Sequence, residues 1–141
     1  AVVLAERLAK DARIAGVRFP GLAGQDARRL IGRQMKGPGS LISFELAGST
    51  PAVMRDFVGA LKLITPAISL GSTDTLIQPP ALLTHRVVDA DARAETGITS
   101  GLLRLSVGLE DARDLWQDLD QALRVVPAQA TLRQAEHLSG V

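Results

Sequence analysis

Residues 69–111 read SLGSTDTLIQPPALLTHRVVDADARAETGITSGLLRLSVGLED, and the rest of the chain is organised around them. Within this stretch, Leu102-Leu103-Arg104-Leu105-Ser106-Val107 is a strand with one guanidinium set among aliphatics, and Ser69-Leu70-Gly71 is a small-residue turn that closes an earlier apolar run. An arginine buried without a partner is expensive, so a lone one in such a strand points at an anion. That anion is either internal, with Glu110 and Asp74 the nearby candidates, or belongs to a ligand.

Downstream, Gly108 ends the strand and Glu110 or Asp111 opens a helix, where a carboxylate meets free amides and the positive dipole end. Ala112, Leu115, Trp116, Leu119, Ala122 and Leu123 then recur on one face. Upstream, Leu4, Ala5, Leu8 and Ala12 predict an amphipathic helix from Ala1 to about Ala15, stopped by Gly16. Val17-Arg18-Phe19 is a brief extended piece before the Pro20-Gly21 turn. Ala27, Leu30, Ile31 and Met35 predict a second helix from Gln25 to Lys36, and Gly37-Pro38-Gly39 stops it.

Ser40 to Leu46 alternates as a strand, with Ile42, Phe44 and Leu46 on the core side. Ser49-Thr50-Pro51 supplies a cap and a first-turn proline for a third helix with Met54, Phe57, Val58 and Leu61 inward. Leu63 to Leu70 predicts a strand that Pro66 confines to an edge or a late start, and Thr75 to Ile77 a short one before Pro79-Pro80. Asp89 to Thr96 reads as one or two helical turns, and the polar tail beyond Pro127 allows a short helix around Leu132 to Leu138. The sum is an α+β domain: three or four strands in a small mixed or mostly antiparallel sheet, with helices packed on one face.

At 141 residues the chain fits one domain with a real core. A net charge of +1 points to neither nucleic acid nor an anionic membrane, and no apolar run is long enough to span a bilayer. Without cysteine there is no disulfide and no thiolate metal site, which sits comfortably with a cytoplasmic protein. Only His85 and His137 carry imidazole, far apart in sequence, so neither a metal centre nor a nucleophile triad is supported. Gly37-Pro38-Gly39 follows a helix instead of leading into one, which argues against a phosphate loop. Arg18, Arg28, Arg29 and Arg33 read as a solvated face or a subunit contact. The chain opens on Ala1 inside a helical pattern, as a piece of something longer would.

From about Val17 to about Leu123 the chain resembles the C-terminal domain of the family of cystathionine γ-synthase, cystathionine γ-lyase and methionine γ-lyase, enzymes dependent on pyridoxal 5'-phosphate (PLP). The residues that carry the resemblance are Arg33-Gln34-Met35-Lys36-Gly37 and Ile42-Ser43-Phe44-Glu45-Leu46, then Ser69-Leu70-Gly71, Pro80-Ala81, Thr84-His85 and Gly97-Ile98, and finally Leu103-Arg104-Leu105-Ser106-Val107-Gly108-Leu109-Glu110-Asp111. Their order and gaps agree with the family's. Two small departures are Pro79, where many relatives carry His, and Gly39-Ser40-Leu41 in place of Gly-Gly-Met.

The resemblance implies the small C-terminal domain of a fold-type I PLP enzyme over residues 1–126, with 127–141 a polar tail. It implies that Arg104 binds a substrate carboxylate, helped by the turn at Ser69 and Leu70. Thr84 matches a threonine near the substrate, although it could equally satisfy backbone groups. Asp74 falls where relatives carry an acid near the substrate's distal end, with a plain surface carboxylate the somewhat simpler reading. His85 reads as structural. The Schiff-base lysine belongs to a Ser-Xaa-Thr-Lys segment of the preceding large domain; Lys10, Lys36 and Lys62 lack that context, and there is no Tyr to stack on the cofactor. No catalytic or cofactor-binding residue is therefore expected in the chain, and alone it should be inactive. The expected whole is a homotetrameric trans-sulfuration enzyme acting on cystathionine, methionine or an O-acylhomoserine. The alternative from another class is a free-standing amino-acid-sensing regulatory module that uses Arg104 and performs no chemistry.

Overall fold

The structure, a computed structural model, describes residues 1–26, 28–80 and 99–127. In chain order the elements are α1 (Val2–Lys10), β1 (Ile14–Arg18), β2 (Leu41–Leu46), α2 (Pro51–Ala60), β3 (Thr65–Pro66), β4 (Leu76–Gln78), β5 (Leu102–Ser106) and α3 (Ala112–Ala122), with a 3-10 turn at Leu123–Val125. The strands form one sheet in the order β1-β2-β5-β4-β3, antiparallel except for the β3–β4 pair. The strand that carries Arg104 is thus its central member. This is an α+β fold with five strands among the described residues where three or four were expected, and the additional one is β1.

Alternation decides which face each residue takes. Ile42, Phe44 and Leu46 from β2, Leu103 and Leu105 from β5 and Ile77 from β4 are buried on one side. There they meet Leu4 and Leu8 of α1, Met54 and Phe57 of α2, and Leu115 and Leu119 of α3 in a single core. The Phe44 and Phe57 rings pack edge to face, with centroids 6.5 Å apart. The three α-helices of the described residues therefore cover one face. The other face carries Ser43, Glu45, Leu102, Arg104, Ser106 and Gln78.

Local chemistry explains the helix ends. Thr50 caps α2 by accepting from the Val53 amide, with Pro51 in the first turn, as its sequence predicts. For α3 the cap is Asp111, whose carboxylate accepts from the Arg113 amide at 2.7 Å.

Three expectations about elements are corrected. Helix α1 ends at Lys10 instead of Ala15, because Asp11 accepts both the amide and the guanidinium of Arg13 and turns the chain into β1. The helix expected over Gln25–Lys36 does not form in the described residues. Asp26 accepts the amides of Leu30 and Ile31, while Arg29 and Gly32 adopt positive φ of 50° and 85°. Its apolar stripe also lacks a core to enter, since Leu30, Ile31 and Met35 are only half-buried. The strand expected over Leu63–Leu70 shrinks to Thr65–Pro66, with β4 as its one partner. The helical turns expected at Asp89–Thr96 and Leu132–Leu138 lie outside the described residues.

The loop from α2 to β3 is anchored from across the molecule. Asp118 of α3, buried beside Leu115 and Leu119, accepts the amides of Lys62, Leu63 and Ile64 at 2.8 to 2.9 Å. Burial alone would push its pKa up, but the three amides and the Gln121 side chain outweigh that and hold it below the ordinary aspartate value.

Candidate functional site

Arg104 lies in the middle of β5 and faces away from the helices. The register sets Ser43 on one side of it and Gln78 on the other, so the three form a polar row across the open face. Neighbouring strands are roughly 5 Å apart, which brings these side chains within reach of a common ligand. Arg18 extends the row through its pairing with Ser43. Beside the row a hollow of about 270 Å³ is lined by Gly16, Arg18, Ser43, Glu45 and Leu102. Arg104 is not among its lining residues.

Among the described residues the guanidinium has one hydrogen bond: Nη2 donates to the Ser69 carbonyl at 3.0 Å. Its Nε is buried and has no partner among the described residues. No carboxylate among the described residues pairs with it, and both internal candidates are otherwise placed. Glu110 accepts the amide and the hydroxyl of Thr75, each at 2.7 Å. Asp74 is exposed and makes no bond to Arg104; its amide donates to the Ser72 hydroxyl. A buried guanidinium donor with nothing to donate to carries an unmet cost of roughly 1–3 kcal/mol, which an incoming anion would remove.

The turn beside Arg104 is tightly held. Gly71 has φ of 77°, a left-handed conformation that glycine adopts without cost, and its amide donates to the Ser106 hydroxyl at 2.9 Å. The next residues are tied to the chain leaving β5: the Leu109 amide donates to the Thr73 carbonyl at 2.8 Å, and the Gly108 amide to the Thr75 hydroxyl at 2.9 Å. Any side chain at 108 would collide here, because a Cβ would stand 2.2 Å from the Thr73 carbonyl oxygen. Glu110 completes the tie, and although burial pushes its pKa up, the two bonds from Thr75 bring it below the ordinary glutamate value.

Of the residues singled out in the sequence, Arg104 and Ser69 are in direct contact, and Leu70 is exposed in the same turn. Asp74 sits farther along, next to the Gly108 crossing. Thr84 and His85, with Gly97 and Ile98, lie outside the described residues. Sequence reasoning missed Ser43 and Gln78 as neighbours of Arg104, although alternation had already put Ser43 on the outer face. It also missed Ser106, whose position two residues from Arg104 in a strand was the available signal.

The residues present do not make a PLP site. An imine needs a lysine amine sheltered in a pocket, and Lys10, Lys36 and Lys62 are all exposed, on separate segments of the chain. With no Tyr in the chain, no phenol is available to stack on a pyridine ring. Among the described residues no group of three His, Asp or Glu side chains is placed to hold a metal ion, and no helix is long and apolar enough to cross a membrane.

Residues 1–124 match the family model described as Cys/Met metabolism PLP-dependent enzyme. The chain is 54% identical over 120 residues to an L-methionine γ-lyase of Brevibacterium sandarakinum, covering 85% of the chain and 29% of that relative. It is 46% identical over 124 residues to an L-methionine γ-lyase of Pseudomonas putida, covering 88% of the chain and 31% of the relative. Among solved structures, cystathionine γ-synthase of Xanthomonas oryzae pv. oryzae, in complex with aminoacrylate and cysteine, superposes with a TM-score of 0.77 at 47% identity, over 86% of this chain and 31% of that one. A cystathionine γ-lyase of Micromonospora echinospora gives 0.78 at 41% identity, over 86% and 32%. The chain thus spans about three-tenths of the length of the relatives it matches.

Proposed function

The chain belongs to the PLP-dependent enzymes of cysteine and methionine metabolism, and from that premise we propose that it is the C-terminal, substrate-carboxylate-binding domain of a longer enzyme of trans-sulfuration. The reaction is γ-elimination or γ-replacement on cystathionine, methionine or an O-acylhomoserine. PLP supplies the electron sink and is held by a lysine of a preceding large domain. No step of that chemistry runs through residues of this chain, so the chain alone is inactive. The whole enzyme is a homotetramer of the cytoplasm.

One observation carries the reading: Arg104 stands on the open face of the sheet with a buried, unpartnered Nε and no carboxylate among the described residues to neutralise it. An α-carboxylate offers two in-plane oxygens, and a guanidinium fork meets both with paired, charge-assisted hydrogen bonds. Binding the acid end fixes where the amino group lies, which is what an enzyme acting at the neighbouring carbons needs. Leu70 and the Ser69 turn form one wall of that position, and the family resemblance gives Asp74 and Thr84 roles toward the rest of the substrate.

Two measurements test this. The complete reading frame should encode, ahead of Ala1, a large domain with lysine in a Ser-Xaa-Thr-Lys setting, and the full-length protein should show the visible absorbance of a PLP imine that borohydride abolishes. A natural start near Ala1 would favour the sensing module instead. In the full-length protein, Arg104→Ala should lower kcat/KM by about 10²–10³-fold, the loss expected when one member of a buried charge pair is deleted. PLP content should stay near that of the unsubstituted protein. Equal loss of substrate and cofactor binding would remove the carboxylate role.

A further inference from the structure

We propose that Ser106 is a positioning residue that aims Arg104 by holding the Ser69-Leu70-Gly71 turn; the inference rests on the carboxylate-binding reading of Arg104. Ser106 and Arg104 are two residues apart on β5, so both side chains rise from the open face. Ser106 is fully buried there, and its hydroxyl accepts the Gly71 amide at 2.9 Å. Two residues back along the turn, the Ser69 carbonyl accepts Nη2 of Arg104 at 3.0 Å. The guanidinium is therefore gripped through a closed circuit: strand to Ser106, Ser106 to Gly71, turn to Ser69 and Ser69 back to the fork.

The circuit leaves the fork partly used. Nη2 has two hydrogens and gives one to Ser69, while Nε has its one hydrogen ungiven among the described residues. Nε and Nη2 lie along one edge of a guanidinium, the edge that takes both oxygens of a carboxylate side-on. A turn fixed by Ser106 holds that edge in one orientation before the ligand arrives, so less side-chain freedom is lost on binding. The ties beyond Gly71, through Thr73, Thr75, Gly108 and Glu110, set the height of the turn over β5 but do not touch Arg104. Ser106 is the last link before the fork, on the Gly71 side of the turn.

The test uses the full-length enzyme and two substrate-competitive probes: L-norleucine, which has a carboxylate, and pentan-1-amine, which is norleucine without it. Ser106→Ala should weaken norleucine by roughly tenfold, the effect of one lost hydrogen bond, and leave pentan-1-amine within twofold. Ser106→Cys, nearly the same size with a weaker acceptor, should fall between and retain the native circular dichroism, which guards against a folding defect in the alanine variant. In an Arg104→Ala background, Ser106→Ala should change neither probe further. Equal weakening of both probes, no change in norleucine, or a full effect that persists without Arg104 would each overturn the positioning role. If Arg104→Ala itself fails to separate the two probes, the carboxylate reading falls and this inference with it. If Arg104→Ala separates them and Ser106→Ala does not, only the role of Ser106 is lost.

Discussion

Arg13 stands just ahead of the edge strand β1 and Arg104 in the middle of the central strand β5, and their surroundings are opposite. Arg13 donates to both oxygens of Asp11, at 2.8 and 2.6 Å, and to Asp120 of α3 at 2.6 Å. Two acids of the chain itself answer its charge. Arg104 has one carbonyl, a buried Nε without a partner, and no acid among the described residues. The difference follows from where α3 lies. That helix covers the inner face and brings Asp118 and Asp120 to the loops at its edge, so polar groups there are satisfied from within. Among the described residues nothing comparable is supplied to Arg104 on the outer face, and the unmet donor marks where a ligand's charge belongs.

The sharpest way to test the closed side is to remove Asp118. Three backbone amides would lose their acceptor, one of them fully buried, and hydrogen bonds to a charged group each contribute about 1.5–3 kcal/mol. Asp118→Ala should destabilise the 141-residue chain by roughly 3–5 kcal/mol in urea unfolding. A loss below about 1 kcal/mol would mean the 62–64 loop is held by other means.

The two arginines themselves make the next contrast. Arg13→Ala breaks a partly buried pair and leaves Asp11 with only its amide bond, so a loss of about 1–2 kcal/mol is expected. Arg104→Ala removes an orphaned donor along with one carbonyl bond, and the stability of the chain should change by less than about 0.5 kcal/mol, or rise. Kinetics of the full-length enzyme should reverse the order, with Arg13→Ala close to normal. If both variants lose stability alike, Arg104 is a structural arginine and the contrast disappears.

What the sequence made legible follows the range of the interactions involved. Alternation in Leu41–Leu46 and around Arg104, the Thr50-Pro51 cap and the one-face stripe of α3 are local patterns, and each element stands where its pattern put it. Where a side chain competes with the helix for amides, as at Asp11 and Asp26, apolar spacing misled, because spacing carries no information on that competition. Strand β3 pairs with β4 over two residues only, Thr65 with Leu76 and Pro66 with Ile77, and how far two segments pair is not written in the apolar spacing of either. The contacts that shape the Arg104 site join residues 35 apart, Ser106 to Gly71 and Arg104 to Ser69. The anchor at Asp118 spans 54 to 56, and its only local sign was an acid on the same helical face as Leu115, Leu119 and Ala122. Arg104 itself was legible because a charge among aliphatics breaks a local rule, and such breaks collect at functional sites.

A modest, pH-dependent effect is expected at Glu110, where the closed and open regions meet. Its carboxylate takes both polar groups of Thr75, and the bonded, folded form holds the charge more readily than the unfolded chain does. A carboxyl whose pKa is lower folded than unfolded stabilises the fold fully above its ordinary value, and the contribution fades as pH falls through the folded value. Below that point folded and unfolded forms are both protonated, and the advantage is gone. Asp11 and Asp118 are shifted in the same direction, so stability should decline steadily below about pH 4.5. Glu110→Gln keeps the size and one acceptor but cannot ionise. It should cost about 1 kcal/mol or less at neutral pH and progressively less toward acid, so that the two stability curves converge. Parallel curves would show that Glu110 contributes through packing alone, and the tie between the turn and β5 would then rest on Gly108 and Leu109.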